Sequence, residues 1–239
     1  PAAPHPFPTE YGDHFETPLQ AYRDVEGVLS ALARLLGRTR ETLRIWDPYY
    51  CAGRTATLLR GLGFPCVAHR NEDFYKVLRE DRQPPHDVLV TNPPYSGDHK
   101  RLCLDHCAAS GKPWLLLVPA YVATKDYYGA AVRRASAGMR AGVGAQEPFF
   151  VVPRERYRFD HPEGTGHAES PFEGVWFVHA GSQTARLFAA VASAEGGGRG
   201  GGGGSGATPV HSVAELGRRG VVAVERRLNP RQRQAARKR

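Results

Sequence analysis

Val88-Leu-Val-Thr-Asn-Pro-Pro-Tyr-Ser96 is a buried strand running into a rigid turn. The run Asp87-Val-Leu-Val-Thr91 is apolar, β-branched and ended by two prolines, the pattern of a short strand. Pro93 and Pro94 each fix φ near about −65° and remove an N–H, so the backbone after Asn92 is stiff and its carbonyls are free to accept. A planar amine entering there can donate one hydrogen to the Asn92 side-chain carbonyl and the other to the Pro93 carbonyl. Both bonds draw the amine out of conjugation with its ring and aim its lone pair outward. Tyr95 adds a flat face for that ring to stack on. Two plainer readings of these four residues are a proline-ended strand at a sheet edge and a ligand for proline-binding domains.

The segment upstream decides between them. Leu43-Arg-Ile-Trp46 has the composition of a strand, and Asp47-Pro-Tyr-Tyr-Cys-Ala-Gly-Arg-Thr55 follows as a turn into a helix that runs to about Leu62, with Gly61 and Gly63 marking its end. Phe64-Pro-Cys-Val-Ala68 is a second apolar run. Strand, small-residue turn, helix, strand is the first unit of a doubly wound α/β sheet, and such a sheet binds its ligand at the strands' carboxyl ends. The dinucleotide glycine fingerprint is missing, since Gly53 stands alone where several glycines would be needed. No full helix and third strand fit between Cys66 and Asp87, so this flank of the sheet is expected to be abbreviated.

Asn92-Pro-Pro-Tyr95 resembles the signature of S-adenosylmethionine-dependent amino-methyltransferases, a family that includes adenine-specific DNA and RNA methyltransferases and protein glutamine methyltransferases. Asp47-Pro-Tyr-Tyr-Cys-Ala-Gly-Arg-Thr55 is similar to the family's cofactor loop, with Tyr50 and Cys51 where the first glycine's neighbourhood would be. The resemblance implies a Rossmann-like methyltransferase sheet with S-adenosyl-L-methionine as cofactor. On it, Asp47, Pro48, Tyr49 and Gly53 form the cofactor loop, with Asp47 facing the cofactor's amino group. Thr17 and Pro18, in His14-Phe-Glu-Thr-Pro18, match the segment that touches the methionine carboxylate. Thr17 is equally read as the N-cap of a helix starting at Pro18, with Leu19, Tyr22, Val25 and Val28 on its apolar face. Asn71-Glu-Asp-Phe-Tyr75 resembles the step that holds the cofactor's adenine, which implies Asn71, Asp73 and Phe74. Asn92, Pro93, Pro94 and Tyr95 would be the catalytic set.

Farther along, His99 to Ser110 fits a helix stopped by Gly111, and Lys112-Pro-Trp-Leu-Leu-Leu-Val-Pro119 a strand buried on both faces. Ala120 to Tyr128 leads into another helical stretch, and Phe149-Phe-Val-Val-Pro153 and Gly174-Val-Trp-Phe-Val-His179 are further strands. Between these last two, Arg154-Glu-Arg-Tyr-Arg-Phe-Asp-His-Pro162 and Ser170-Pro-Phe172 look like a late segment of phage-type adenine DNA methyltransferases. Its Arg154, Arg156 and Arg158 interleave with Tyr157 and Phe159, a mix of phosphate contacts and stacking surfaces. Tyr95, Arg154, Arg156 and Tyr157 are therefore the expected substrate-binding residues, against the plainer reading of a hairpin with a solvated charged face.

The chain has 239 residues, 41% of them hydrophobic, and a formal charge of +8. From Arg218 to Arg239 there are nine Lys or Arg against Glu225 alone, so the end of the chain carries the whole excess. Residues 1–185 are expected to form the catalytic domain, 186–208 a Gly-rich linker and 209–239 a flexible basic tail. Such a tail binds polyanions by counterion release or serves as a nuclear or nucleolar address. His211-Ser-Val-Ala-Glu-Leu216 is either part of it or a short helix docked on the body.

Cys51, Cys66, Cys103 and Cys107 form no Cys-x-x-Cys pair, which fits reduced, intracellular thiols. His99, Cys103 and Cys107 share a helix face by their spacing, but a fourth ligand would have to come from elsewhere, and no metal is expected. No apolar run approaches the roughly 20 residues of a membrane span. The chain opens at Pro1 rather than Met, which leaves a removed organellar transit peptide open.

The expected activity is methyl transfer from S-adenosyl-L-methionine to an exocyclic amine, foremost N6 of adenine in RNA or DNA. The alternatives are a protein glutamine side-chain methyltransferase and an inactive nucleic-acid-binding scaffold of the same fold. No separate target-recognition domain is visible, so sequence specificity would come from a protein partner or a structured substrate.

Overall fold

A computed structural model describes residues 5–7, 15–137, 146–159, 172–196 and 206–223. Seven strands form one mixed sheet: β1 (Ile45–Trp46), β2 (Val67–Ala68), β3 (Val88–Thr91), β4 (Trp114–Pro119), β5 (Phe149–Val152), β6 (Gly174–His179) and β7 (Thr208–Val210), in the order β2-β1-β3-β4-β6-β5-β7. The first four neighbours run parallel. From there β6 pairs antiparallel with β4 over six residues, from Trp114 opposite His179 to Pro119 opposite Gly174, and β5 and β7 complete the far side antiparallel. This is an α/β architecture compatible with a Rossmann-like fold.

The uniform apolarity of the strands follows from helices on both faces. Val88, Val90, Leu115, Leu117, Trp176 and Val178 face one core with α1 (Leu19–Leu35), α2 (Thr55–Gly61) and α6 (Thr184–Gly196). Their strand neighbours Leu89, Leu116, Phe150 and Phe177 face a second core. Against it pack α3 (Phe74–Arg79), α4 (His99–Ser110), α5 (Asp126–Ala137) and α7 (Val213–Arg218). Tyr22, Val25 and Val28 of α1 are buried as their spacing requires, and the Trp176 indole donates to the Ala21 carbonyl at 2.9 Å, pinning this helix to β6. Helix α4 stops at Gly111, whose φ of 66° is the left-handed cap that a glycine supplies cheaply.

The connection from β2 to β3 holds only the six-residue α3, so the sheet ends at β2 and that flank is abbreviated. β1 and β2 shrink to two residues each from the longer runs the composition suggests. α1 begins at Leu19, one residue later than anticipated: Pro18 holds the cap position in an extended conformation, and no side chain caps the helix.

The expected linker and tail boundaries need correcting. Residues 184–196 are helix, with Leu187 fully buried against the α1 side of the core. After the glycines the chain re-enters the sheet, β7 pairing Val210 with Phe150, and α7 docks with Leu216 fully buried. Ser212 caps α7, its hydroxyl accepting from the Glu215 N–H. Pro209 is tolerated because β7 is an edge strand. The basic run from residue 224 onward lies outside the described residues. Among the described residues no helix is long and apolar enough to cross a membrane.

Candidate active site

β1 lies between β2 and β3, so the strand order reverses at the β1–β3 seam, and ligands of open α/β sheets bind in the crevice at such a point. Asp47 leaves the end of β1 and Asn92 the end of β3. Asp47 is 3% exposed. The Thr91 hydroxyl donates to its Oδ1 at 2.5 Å and the Tyr49 N–H at 3.2 Å, while His69 Nδ1 lies 3.4 Å from its Oδ2.

The turn after Asp47 is tight. Gly53 sits at φ 87° with its N–H on the Tyr50 carbonyl, and a Cβ there would lie 2.6 Å from the Tyr50 hydroxyl. Cys51 also takes a positive φ, of 48°. Burial, then the neighbouring Glu16, pushes its thiol up to about 12, so it stays protonated at neutral pH. The Tyr50 ring stacks on His69 at 4.9 Å. Glu16, a residue no motif singled out, is buried and accepts from the Ala52 N–H at 2.6 Å, tying the segment before α1 to the turn. Thr17 is buried beside Tyr22, whose hydroxyl bonds with Thr17 and shares a 2.9 Å hydrogen bond with Thr55.

These groups open on a cleft of about 390 Å³, within the usual range for small-molecule sites. Thr17, Asp47, Pro48, Tyr49, Asp73, Phe74, Asn92 and Pro94 line it, so two of the expected catalytic residues and most of the expected cofactor residues come together from four separate segments. Pro18, Gly53, Asn71 and Pro93 do not form its wall. Gly53 shapes the turn instead, and Asn71 bonds to the ring of His5 at 2.7 Å, holding that residue over the cleft beside Phe7. Asp73 caps α3, accepting from the Tyr75 N–H at 2.9 Å. Phe74 and Tyr49 pack ring to ring at 5.1 Å. Tyr49, Tyr75 and His99 are linked hydroxyl to hydroxyl at 3.2 Å and hydroxyl to Nδ1 at 2.5 Å.

Charge discriminates among ligands. The described residues lining the cleft include Glu16, Asp47, Glu72 and Asp73 and no Lys or Arg. A polyphosphate would be repelled there, whereas a cation is welcome.

The decisive atom is Asn92 Oδ1. It is buried and has no hydrogen-bond partner among the described residues, on a side chain that lines the cleft. A buried acceptor left unsatisfied costs about 1–3 kcal/mol, so a ligand donor that reached this atom would relieve that cost. Behind it, Lys100 is only 8% exposed and its ammonium donates to the Tyr95 carbonyl, bracing the turn from α4.

Tyr95 stands beyond the cleft wall. Its hydroxyl reaches 3.5 Å from the Leu117 carbonyl, and its ring meets Phe172 edge-on at 6.4 Å. Arg154 and Arg156 are exposed, the stem of Arg154 lying along Gly206. Tyr157 departs from expectation: it is 4% exposed, and its hydroxyl donates to Asp24 at 2.6 Å. The alternation Arg156-Tyr-Arg-Phe159 has period two, which turns the arginines outward and the rings inward, so Tyr157 is a core residue. Of the late motif Ser170-Pro-Phe172, only Phe172 is described, and it is 40% exposed.

All four cysteines are free, with Cys103 and Cys107 buried in the second core. Among the described residues no group of three or more His, Cys, Asp or Glu could hold a metal. No family model matches this chain and no curated protein matches it.

Proposed function

We propose that this chain is an S-adenosyl-L-methionine-dependent methyltransferase acting on an exocyclic amine, N6 of adenine in RNA or DNA. The observation that carries the reading is Asn92 Oδ1, a buried acceptor awaiting a donor in the cleft that Asp47 also lines. The residues suit that cofactor. Glu16 and Asp47 give the cleft the negative charge that an ammonium and a sulfonium require, and Phe74 and Tyr49 offer apolar walls for an adenine ring. When bound, the cofactor supplies an electrophilic methyl on a sulfur that is its own leaving group.

The protein's part is positioning and polarisation. Asn92 accepts one amine hydrogen and the Pro93 carbonyl the other, turning the nitrogen lone pair toward the donor. Pro94 lines the cleft with Asn92, and Tyr95 stacks the acceptor ring. The proline pair and the Lys100 bond to the Tyr95 carbonyl keep the turn from relaxing. Once the methyl has moved, the nitrogen is acidic and releases its proton to solvent.

The test is labelled methyl transfer to adenine-containing RNA and DNA, with cofactor binding measured by calorimetry. Asn92→Ala should abolish transfer while cofactor affinity stays within about twofold, because the acceptor but not the cofactor loses its partner. Turnover retained in Asn92→Ala would refute the assignment.

A further inference from the structure

Phe172, one of the most exposed large apolar side chains described, stands between two rings. Tyr95 lies 6.4 Å away and Tyr121 5.6 Å away, both edge-to-face with it. The exposed Lys125 holds its ammonium 5.3 Å from the centre of the Tyr121 ring. An aromatic wall therefore runs outward from the proposed acceptor site, and a cation marks its end. Tyr121 and Lys125 come from the turn after β4, a stretch with no motif to draw attention.

Unlike the cleft, whose lining has no Lys or Arg among the described residues, this wall carries a cation. Lys125 is the cation that touches this wall, with Asp126 and Glu173 as the neighbouring acids, and Arg154, Arg156 and Arg158 are exposed on the segment after β5. The backbone fixes this neighbourhood. The Ala120 N–H bonds to the Glu173 carbonyl, and a Cβ on Gly174 would lie 3.5 Å from Tyr157 and 3.8 Å from Phe159. The Tyr157–Phe159 segment, Phe172 and the Tyr121 turn thus meet around Gly174. Aromatic faces interleaved with cations are the surface that single-stranded nucleic acid binds, since every base has a flat face and every linkage a charge.

The three rings pack edge-to-face at 5.6 and 6.4 Å, which turns their faces in different directions. A base can lie on such a face only after leaving a helical stack, and adjacent bases can do so together only in an unpaired strand. We propose that the substrate is an unpaired strand of RNA or DNA, with the target base on Tyr95 and the adjacent base on the Tyr121–Phe172 wall, its phosphate near Lys125. This rests on the methyltransferase reading and narrows its substrate.

Anisotropy titrations with one adenine-containing sequence, as single-stranded RNA, single-stranded DNA and each duplex, test it at fixed salt. The wild type should bind single strands at least about tenfold tighter than duplex, and Tyr121→Ala should lose about tenfold. Tyr121→Phe should keep wild-type affinity, and Lys125→Gln should weaken binding and flatten its salt dependence. Comparing RNA with DNA identifies which strand is preferred. Calorimetry on the same proteins should find cofactor affinity unchanged, which also shows that the variants fold. Duplex bound as tightly as single strand, or Tyr121→Ala binding as well as wild type, overturns the proposal. If cofactor still binds and methyl is still transferred in that case, the catalytic reading survives alone. Tyr121-dependent strand binding without cofactor uptake would do the reverse.

Discussion

The Thr91 hydroxyl donates to Asp47 Oδ1 at 2.5 Å, joining the ends of β3 and β1 across the seam where the strand order reverses. The bond ties the proposed acceptor half of the site to the proposed cofactor half, since Asn92 follows Thr91 directly. Thr91 is fully buried, so the carboxylate has no water to replace this donor from that side. Thr91→Val should weaken cofactor affinity about tenfold, the equivalent of one hydrogen bond to a charged group. Asp47→Ala should remove binding altogether. Calorimetric titration of the three proteins checks both, and unchanged affinity in Asp47→Ala would exclude the cleft as the cofactor site.

Lys100 braces the Asn92–Tyr95 turn from behind and lies outside the cleft lining. Lys100→Met keeps the stem but frees the Tyr95 carbonyl, so turnover should fall about tenfold or more while cofactor affinity holds. Steady-state kinetics should find the loss in kcat. A change confined to KM would mean that the turn does not need the brace.

Tyr157 donates to Asp24, whose other oxygen accepts from Gln20 at 2.8 Å. Removing the hydroxyl leaves a buried carboxylate short of a partner, so Tyr157→Phe should cost about 1.5–3 kcal/mol of stability in urea denaturation. Affinity for nucleic acid should not change. A drop in that affinity at unchanged stability would restore the residue to the target surface.

His179 stacks on Trp114 at 5.4 Å, and burial lowers its pKa from 6.5 to about 4. Between those values the unfolded chain takes up a proton that the native ring refuses, so stability is complete above about pH 6.5 and falls as pH drops toward 4. The loss from this group is about 3 kcal/mol. Urea midpoints at pH 7.5 and 4.5 should show a smaller acid loss in His179→Phe than in the wild type. Equal losses would mean that the ring titrates normally.

The parts of this fold that announce themselves are those in which local signals agree. α4 has Gly111 to stop it, and β6 is a continuous apolar run between helix-covered faces; both fall where composition puts them. Asp47 and Asn92 lie at strand ends in recognisable turns, and their meeting in one cleft follows from the sheet order. Glu16 gave no such signal: its partner, the Ala52 N–H, is 36 residues away, and a lone acid before Thr-Pro suggests nothing. Tyr157 was masked by composition, because interleaved arginines and aromatics suit both a nucleic-acid surface and a half-buried extended segment. β7 is three residues long, contains a proline and follows a run of glycines, so only the open edge of β5 could reveal it.

That closure bears on how the protein can be handled. Shortening the chain at its glycines would uncover β5, leaving backbone donors and acceptors beside Phe150 and Val151 to recruit a strand from another molecule. Aggregation of such a product would report a torn sheet edge and say nothing about the basic residues removed with it. A deletion that starts after Ala223 removes seven of those nine charges and keeps α7 and Val222, which seal the core.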